Sequence, residues 1–329
     1  GEDSKSAAKP IVEPITDIKA DGNTVVFTLS AGNADFPFLM SDYHLPILPS
    51  ADGKIDTTTK DGCGGYVIDS YEPGVSAKLS RNPNYWKMDR AWFDGVEMVS
   101  IFDTTARLNA LITGEVDVID PVDLNTVTFL ERAPGIIILS TTGTLHYSFP
   151  MDTRAVPFTD NNVRMALKYA LDRQEMVDKI LGGYGRIGND NPIGPSNRYY
   201  YAELEQHTYD PDKAKFHLKE AGMDTLNVQL SAADGAFIGA VDAALLYSEK
   251  AAAAGINIEV IREPNDGYWE TVWMKKSWCA SFFGGRPTED WAFSTGYASG
   301  APWNDTFWGN ARFNELLSAA RSELDEDKR

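Results

Sequence analysis

The sequence predicts an α/β protein built from two lobes, and three observations support that prediction. With 329 residues, the chain is longer than a single hydrophobic core usually supports. Between residues 96 and 119, a β-patterned run, a helical pattern and a second β-patterned run follow one another, which predicts a β-α-β unit with parallel pairing. Between residues 226 and 283, strand and helix patterns alternate, which is typical of a largely parallel sheet covered by helices.

The first lobe, predicted to comprise residues 1–145, begins with strands and loops. Residues 24–30 combine β-branched and aromatic side chains between polar turns, which predicts a strand. Two proline-interrupted apolar segments, 36–40 and 45–49, are too broken for central strands. Residues 50–65, rich in Asp, Thr, Lys and Gly, are predicted to form a long surface loop.

The rest of the first lobe contains predicted strands at 75–80 and 96–102 and a helix that begins at Thr104 and ends at Gly114 as a C-cap. A strand at 116–119 completes the β-α-β unit. A short helix at 124–132 and a strand at 136–139 follow.

The second lobe is predicted to comprise residues 146–329. Five apolar residues share one face of its first helix: Val163, Ala166, Leu167, Ala170 and Leu171. Asp172 with Glu175 predicts a capped second helix, and Asp210 followed by Pro211 predicts the start of a third. The alternating elements that follow are strands at 226–231, 256–261 and 279–283, with helices at 236–254 and 266–275.

Composition argues against several kinds of partner and site. The 30 basic and 48 acidic residues give a net charge of −18, and no basic stripe interleaved with aromatic residues occurs, so nucleic acid is not expected as a partner. Cys63 and Cys279 have no second cysteine at CxxC spacing, and we expect both to be buried and inert. No apolar run approaches the ~18 residues that would span a bilayer.

A short break between two β-patterned runs carries the most specific motif, Arg81-Asn82-Pro83-Asn84-Tyr85-Trp86. Asn and Pro are ordinary turn residues, whereas a Tyr and a Trp exceed what a turn needs. Three further stretches accompany it: Gly62-Cys63-Gly64-Gly65-Tyr66, residues 106–117, and residues 157–173. In this order and at this spacing the set resembles the large periplasmic solute-binding proteins of ABC importers, family 5, whose members bind dipeptides, oligopeptides or nickel. The resemblance runs from about residue 21 to residue 329.

The resemblance implies a two-lobed periplasmic-binding-protein-like fold (class II, large cluster C type), with mixed and parallel sheets and an interlobe cleft. It implies a hinge at about residues 141–149, which are extended and small-residue-rich. It further implies a fragment lacking both termini, with the N-terminal portion of the first lobe missing, and a periplasmic location.

The function implied is that of an extracytoplasmic receptor. It would deliver a small solute, peptide-like, opine-like or an oligosaccharide, to the permease and ATPase subunits of an ABC importer at the inner membrane. We expect a monomer without cofactor.

The loop after the predicted strand 279–283 is the expected binding surface, because ligands of open α/β sheets bind beyond the carboxyl ends of the strands. Peptide-binding members of the resembled family carry an aspartate there that pairs with the α-ammonium of the ligand, and the match puts Gly285 at that position. Arg286, the next residue, suits a carboxylate or a phosphate, the alternative being a solvated surface arginine. Three aromatic residues, predicted on loops, are candidates for stacking on the solute: Trp269, Phe283 and Trp291.

Four further residues are candidate ligand contacts, each with a structural alternative. Tyr147 lies in the predicted hinge, which would otherwise be an ordinary interdomain strand. Tyr43 and His44 lie between two apolar segments, where a structural histidine is the alternative. Asn189 lies in a turn-rich polar loop.

Enzyme signatures are missing from the sequence. It contains no GxSxG, HExxH, P-loop or GxGxxG motif, and its four histidines lack metal-ligand spacing, so no catalytic residue and no metal ligand is assigned. The alternative that stays open is an acidic periplasmic hydrolase using paired carboxylates, since their separation is a three-dimensional property.

Overall fold

The computed structural model describes residues 8–56, 62–141 and 143–329. The chain divides into two compact units: a larger one comprising Gly1–His44 with Ile137–Arg329, and a smaller one comprising Leu45–Ile136. The β-strands are β1 (Ile15–Asp21), β2 (Thr24–Leu29), β3 (Ser50–Ala51), β4 (Lys54–Ile55), β5 (Tyr66–Glu72), β6 (Ser76–Arg81), β7 (Gly95–Val99), β8 (His146–Ser148), β9 (Leu226–Ala232), β10 (Ile256–Arg262) and β11 (Ser281–Phe283).

The α-helices are α1 (Lys9–Val12), α2 (Phe36–Leu39), α3 (Thr104–Ile112), α4 (Val127–Leu130), α5 (Asn161–Tyr169), α6 (Arg173–Glu175), α7 (Pro211–Glu220), α8 (Ala240–Ala252), α9 (Tyr268–Thr271), α10 (Glu289–Gly296) and α11 (Ala311–Ser322). A 3-10 turn at Leu124–Thr126 leads into α4, and a π-helical turn at Met176–Ile180 continues α6.

The smaller unit is built on the antiparallel sheet β5-β6-β7. The turn at residues 81–86 is tied to residues 64 and 65: the Asn82 side chain donates to the carbonyl oxygen of Gly64 (2.9 Å), and its backbone N–H donates to that of Gly65 (2.9 Å). A Cβ at Gly65 would lie 3.4 Å from the Tyr85 ring and 2.9 Å from the Ala91 Cβ, so the close approach of the chain requires glycine here. The Tyr85 ring therefore packs against the segment that leads into β5.

Two predicted strands of the first lobe are wrong. Helix α3 forms as predicted, with Asp103 as its N-cap and Gly114 at φ +74° beyond its end. Residues 116–119 and 136–139, however, form no strand, and β7 pairs antiparallel with β6 instead of starting a β-α-β unit. Val118 is 80% exposed and Leu139 is 89% exposed, so these apolar runs lack the burial that would hold them in a sheet.

The structure also corrects two smaller predictions, on the loop at residues 50–65 and on the cysteines. The predicted loop 50–65 contains the two-residue strands β3 and β4, which pair as a hairpin, while residues 57–61 lie outside the described residues. Both cysteines are free, and the prediction that both are buried is wrong: Cys63 is exposed and Cys279 is buried.

The core of the larger unit surrounds the parallel pair β9-β10 and helix α8, which connects them. A single parallel β-bridge between Ser231 and Cys279 connects β9 to the segment that leads into β11. Strand β11 itself pairs antiparallel with β8. The sheet content is therefore mixed. The predicted apolar stripe on α5 is confirmed, because Val163, Ala166 and Leu167 are all 0% exposed.

The predicted caps in this unit are also confirmed. The Asp172 side chain accepts a hydrogen bond from the Glu175 N–H, and the Asp210 side chain accepts one from the Lys213 N–H. Trp278, 1% exposed, lies at the centre of the core and donates its indole N–H to the carbonyl oxygen of Phe149 (3.0 Å).

The described part of Gly1–His44 packs within the larger unit. The Ala34 N–H donates to the carbonyl oxygen of Arg321 (2.8 Å), and Asp35 pairs with Arg329. This grouping differs from the predicted division, which assigned residues 1–145 to one lobe and 146–329 to the other. The lobe boundary at residue 145 and the hinge at 141–149, of which residue 142 is outside the described residues, stay predictions.

Candidate functional site

The loop that follows β11 places Arg286 between a strand and a helix. Strand β11 is paired with β8 in the register Phe283 to His146, which fixes the start of the loop. Thr288 fixes its end, because its side chain caps α10 by accepting a hydrogen bond from the Trp291 N–H (3.3 Å). The connection between these two points is short, so its conformation is set from both sides.

Three aromatic rings surround the Arg286 side chain. Its guanidinium carbon lies 5.1 Å from the ring centroid of Phe283, 5.3 Å from that of Trp303 and 5.8 Å from that of Trp291. The Nη1 group donates to the carbonyl oxygens of Gly284 (2.9 Å) and Gly285 (3.2 Å). We call Phe283, Arg286, Trp291 and Trp303 the Arg286 cluster. Ring faces and carbonyl oxygens hold the cation in place without neutralising it.

Two buried N–H groups of the cluster have no hydrogen-bond partner among the described residues. They are Nε of Arg286 and Nε1 of Trp291. Trp291 is 4% exposed and belongs to α10, so its predicted position on a loop is wrong. Phe283 and Trp269, also predicted on loops, lie in β11 and α9.

His44 and Tyr43 join the cluster through Trp303. The rings of His44 and Trp303 meet edge to face with centroids 6.0 Å apart. The Nδ1 of His44 lies 2.7 Å from Oδ1 of Asp42, a carboxyl that is 5% exposed. The rings of Tyr43 and His44 pack together with their centroids 3.9 Å apart. Asp42 and Trp303 contact His44, whereas Tyr43 is 68% exposed to solvent.

The half-buried carboxyl of Asp305 is connected to the Arg286 cluster through Trp273 and Trp303. Trp273, edge to face with Trp303 at 6.5 Å, donates its indole N–H to Oδ2 of Asp305 (3.0 Å). Burial raises the pKa of Asp305 to about 6, with the Trp273 hydrogen bond opposing the shift. Trp269, a predicted site residue, packs edge to face on Trp273 with ring centroids 5.7 Å apart. It is therefore connected to the cluster through Trp273.

Strand β8 places His146 and Tyr147 on opposite faces, as alternation along a strand requires. His146 stacks on Phe283 (5.7 Å), and its Nε2 lies 3.4 Å from the Tyr297 hydroxyl. Burial lowers the pKa of His146, against the opposing effect of its contact with the Thr144 carbonyl. Tyr147 stacks on Phe237 (4.1 Å, interplanar angle 7°), away from the Arg286 cluster.

Gly285 packs directly against the segment that precedes β8. A Cβ at this position would lie 2.3 Å from Oγ1 of Thr144 and 3.2 Å from the backbone N of Leu145. Rotation of the Thr144 side chain could relieve the first contact, but the second is with backbone, which would have to move by a few tenths of an ångström. A side chain at position 285 therefore requires a local shift of residues 144 and 145.

Asn189 lies in a separate loop and uses both ends of its amide there. Its Nδ2 donates to the carbonyl oxygen of Glu205 (2.7 Å), and its Oδ1 accepts from the His207 N–H (3.0 Å). Next to it, Asp190 receives a hydrogen bond from Arg173 (2.6 Å) and contacts His207 (2.7 Å), and these positive neighbours hold its pKa low against the effect of burial.

Sequence reasoning did not assign Trp303, His146 and Asp305 to this region. Trp303 and Asp305 belong to a turn that Asn304 fixes by donating to the carbonyl oxygens of Trp308 (2.7 Å) and Ala298 (3.1 Å). The aromatic-polar string at residues 303–308 is a local signal of such a turn, but its contact with Arg286 depends on packing between distant segments.

No group of three or more His, Cys, Asp or Glu side chains arranged to hold a metal ion occurs in residues 8–56, 62–141 and 143–329. None of the helices in this described part of the chain has the length and apolarity needed to cross a membrane.

Comparison with known families decides what kind of protein carries this cluster. The family model "Bacterial extracellular solute-binding proteins, family 5 Middle" matches residues 2–305. The chain belongs to family 5 of the bacterial extracellular solute-binding proteins. The resemblance drawn from residues 62–66, 81–86, 106–117 and 157–173 is thereby confirmed.

Two curated relatives illustrate the family 5 likeness. Di/tripeptide-binding protein 2 of Pseudomonas aeruginosa is 26% identical over 344 residues, which cover 98% of this chain and 63% of the relative. Heme-binding protein A of Haemophilus influenzae is 27% identical over 213 residues, 62% of this chain and 39% of the relative. The chain thus spans less than two thirds of either relative's length.

Solved structures of family 5 type confirm the predicted fold class. The ABC transporter-associated periplasmic binding protein DppA from Helicobacter pylori, in complex with the peptide STSA, superimposes with a TM-score of 0.87 at 23% identity, over 100% of this chain and 67% of DppA. The binding protein AgaA of A. tumefaciens R10, in complex with agropinic acid, gives 0.85 at 21% identity, over 100% and 69%. The predicted two-lobed, periplasmic-binding-protein-like α/β fold is therefore correct.

Proposed function

We propose that this chain is an extracytoplasmic receptor that binds a small solute and delivers it to an ABC importer. Its membership of family 5, whose members are binding proteins, is the observation on which the proposal depends. The permease and ATPase subunits, a periplasmic location, a monomeric state and the absence of catalysis all belong to the proposal. The comparisons give no support to the alternative of a paired-carboxylate hydrolase.

The Arg286 cluster and its neighbours Tyr43 and His44 are the proposed contact surface for the solute. Small-molecule sites combine aromatic side chains with a few polar groups that fix orientation. Here the rings of Phe283 and Trp303 are half-buried, Tyr43 is exposed, and Arg286 supplies the charge. Such a surface suits peptide-like, opine-like or sugar-like solutes through stacking and directed hydrogen bonds.

Delivery needs no chemical step. A solute that is held more tightly in one conformation shifts the population toward that conformation, and the transporter then recognises the shifted state. The predicted hinge at residues 141–149 would supply the movement, and Gly285 places the Arg286 loop in direct contact with Thr144 in this segment.

A solute screen tests the proposal. The purified chain is titrated with peptides, opines, sugars and organic acids while thermal unfolding is followed, and each solute is analysed for chemical change. A true ligand at a hundredfold excess over its Kd stabilises the protein by ~2.7 kcal/mol.

A matched pair of variants localises the binding. Tyr43→Ala removes an exposed contact of the cluster and should weaken the best solute about fivefold or more. Tyr201→Ala removes an equally exposed ring, 61% against 68%, outside the cluster and should leave affinity unchanged. Conversion of a solute to product, or a panel in which nothing stabilises the protein, would refute the receptor function.

A further inference from the structure

We propose that Arg286 and the indole N–H of Trp291 form an anion-binding subsite that takes a carboxylate or phosphate group of the solute. The inference rests on the proposed function and specifies its ligand: a small organic acid or acidic conjugate held by its negative group. Charge balance, unpartnered donors and the shape of the loop each support it.

The charge of Arg286 has no counterpart in the described part of the protein. No carboxylate of the described residues lies within ion-pair distance of it, although three acidic residues occur nearby in sequence or in space. Asp290 is paired with Arg321 (3.0 Å), Glu289 accepts from the Tyr199 N–H (2.9 Å), and Asp305 accepts from Trp273. A half-buried cation without an anion costs free energy, which a bound anion would offset.

The unpartnered donors point the same way. Buried N–H groups in folded proteins nearly always have an acceptor, so two without one in a single cluster call for an explanation. Nη1 of Arg286 is committed to two backbone carbonyls, whereas Nε has no acceptor among the described residues. Trp291 adds a second such donor from a side chain that is 4% exposed.

The aromatic rings and the two carbonyl oxygens leave the Nε–Nη2 edge of Arg286 without an acceptor among the described residues. Rings near the guanidinium reduce its freedom to rotate, and a planar guanidinium held in one orientation binds carboxylate or phosphate through paired N–H donors. Phe283 and Trp303, at 5.1 and 5.3 Å, supply this orientation.

Gly285 keeps the loop free of a competing negative charge. A side chain at this position would collide with Thr144 and with the Leu145 backbone, so an aspartate or glutamate cannot stand beside Arg286 without displacing residues 144 and 145. The loop therefore offers a positive group and no acidic partner for an ammonium group.

The experiment uses simple anions, so it does not depend on knowing the solute. The indole N–H resonances of the ¹⁵N-labelled chain are followed by NMR during titration with sodium acetate and, separately, with inorganic phosphate, at constant ionic strength. We expect the Trp291 resonance, assigned by its loss in Trp291→Phe, to shift saturably with at least one anion. The half-exposed Trp308, assigned with Trp308→Phe, is the control within the same sample and should not shift.

Variants of Arg286 complete the test. Arg286→Gln should abolish the saturable shift, and Arg286→Lys should weaken anion binding about tenfold because a lysine cannot present two parallel donors. A shift that is linear, equal at all indoles, or unchanged in Arg286→Gln would overturn the subsite. If Arg286→Gln failed to fold, Arg286→Lys would still decide it, because the affinity of the anion is read from the Trp291 resonance that this variant keeps. An affinity equal to that of the wild type would overturn the subsite.

The outcomes separate the subsite from the receptor function. A neutral solute that stabilises the chain equally well in the wild type and in Arg286→Gln would refute the subsite and leave the receptor function standing. A saturable acetate shift, with no solute of the panel stabilising the chain more than acetate itself does, would support the subsite and refute the receptor function. Acetate binding without phosphate binding would identify the group as a carboxylate.

Discussion

Arg329 and Asp35, which lie 294 positions apart in the sequence, form a bidentate ion pair, with Nη1–Oδ1 at 2.9 Å and Nη2–Oδ2 at 2.5 Å. The two side chains are 11% and 9% exposed, and the Arg329 guanidinium also lies 5.4 Å from the ring centroid of Tyr199. This pair attaches the segment that carries β1, β2 and α2 to the end of the larger unit.

Arg329→Ala should lower the free energy of unfolding by about 3 kcal/mol, because it leaves the Asp35 carboxylate buried without its partner. Urea unfolding followed by circular dichroism measures the effect. The control is Arg312→Ala, which breaks a pair with Glu315 whose side chains are 72% and 66% exposed, and which should change stability by less than ~0.5 kcal/mol. Equal losses in the two variants would contradict the argument from burial.

Trp278→Phe should destabilise the protein by about 2 kcal/mol, since it leaves the Phe149 carbonyl without its donor and opens a small cavity beside Phe158 and Tyr247. Trp308→Phe, at a position that is 37% exposed, serves as the matched control and should be nearly neutral. Thermal unfolding of the pair provides the measurement, and a neutral Trp278→Phe would show that the core does not depend on this contact.

Asp305 makes stability depend on pH. Burial raises its pKa from 3.8 to about 6 in the folded state, so between about pH 4 and pH 6 the folded protein binds a proton that the unfolded chain has released. The contribution of Asp305 to stability is therefore complete below about pH 4 and is lost as the pH rises through about 6.

Asp305→Asn should remove this dependence while keeping a carbonyl acceptor for the Trp273 indole. From pH 4 to pH 7, the wild type should lose about 2 kcal/mol relative to the variant. Subtraction of the two pH profiles cancels the other titrating groups, including His146. Asp212→Asn, at a carboxyl that is 94% exposed, should give a flat difference, and a flat difference for Asp305→Asn as well would rule out the assignment.

Gly285→Ala should destabilise the protein by about 1–3 kcal/mol, because its Cβ would overlap Thr144 and crowd the Leu145 backbone. The added variant Thr144→Ala should recover part of this loss by removing the nearer contact, which a double-mutant cycle measures. At Gly188 a Cβ meets nothing within 4 Å, so Gly188→Ala should be neutral or slightly stabilising. A cycle without coupling would contradict the close packing of the two segments.

Local signals in the sequence predicted much of the fold. The apolar stripe on α5, the capping aspartates 172 and 210, and the glycine that follows α3 each depend on residues within one or two turns, and all are confirmed. The strand predicted at 116–119 does not form, because a strand depends on contacts outside its own segment. An apolar run becomes a strand only if a partner strand and a core receive it, and Val118 finds neither.

The candidate site shows the same division. The strand at 279–283 predicts the loop that carries Arg286, and the short separation in sequence predicts that Arg286 lies near Phe283. The contacts of Arg286 with Trp303 and, through it, with His44 join segments that are distant along the chain. No period or motif encodes such contacts, because packing of the whole unit determines them. Asn189 illustrates the converse: the sequence predicts a polar loop around it, but its amide is occupied by hydrogen bonds within that loop.

The edge-to-face series of Trp269, Trp273 and Trp303 has an optical consequence. Indole rings with centroids 5.7 and 6.5 Å apart share excitation energy and couple their electronic transitions. Three of the eight tryptophans of the chain therefore absorb and emit as a connected set that ends beside Arg286. An event at the guanidinium group should thus change the near-ultraviolet circular dichroism and the intrinsic fluorescence of all three, so that the protein carries its own unlabelled spectroscopic reporter.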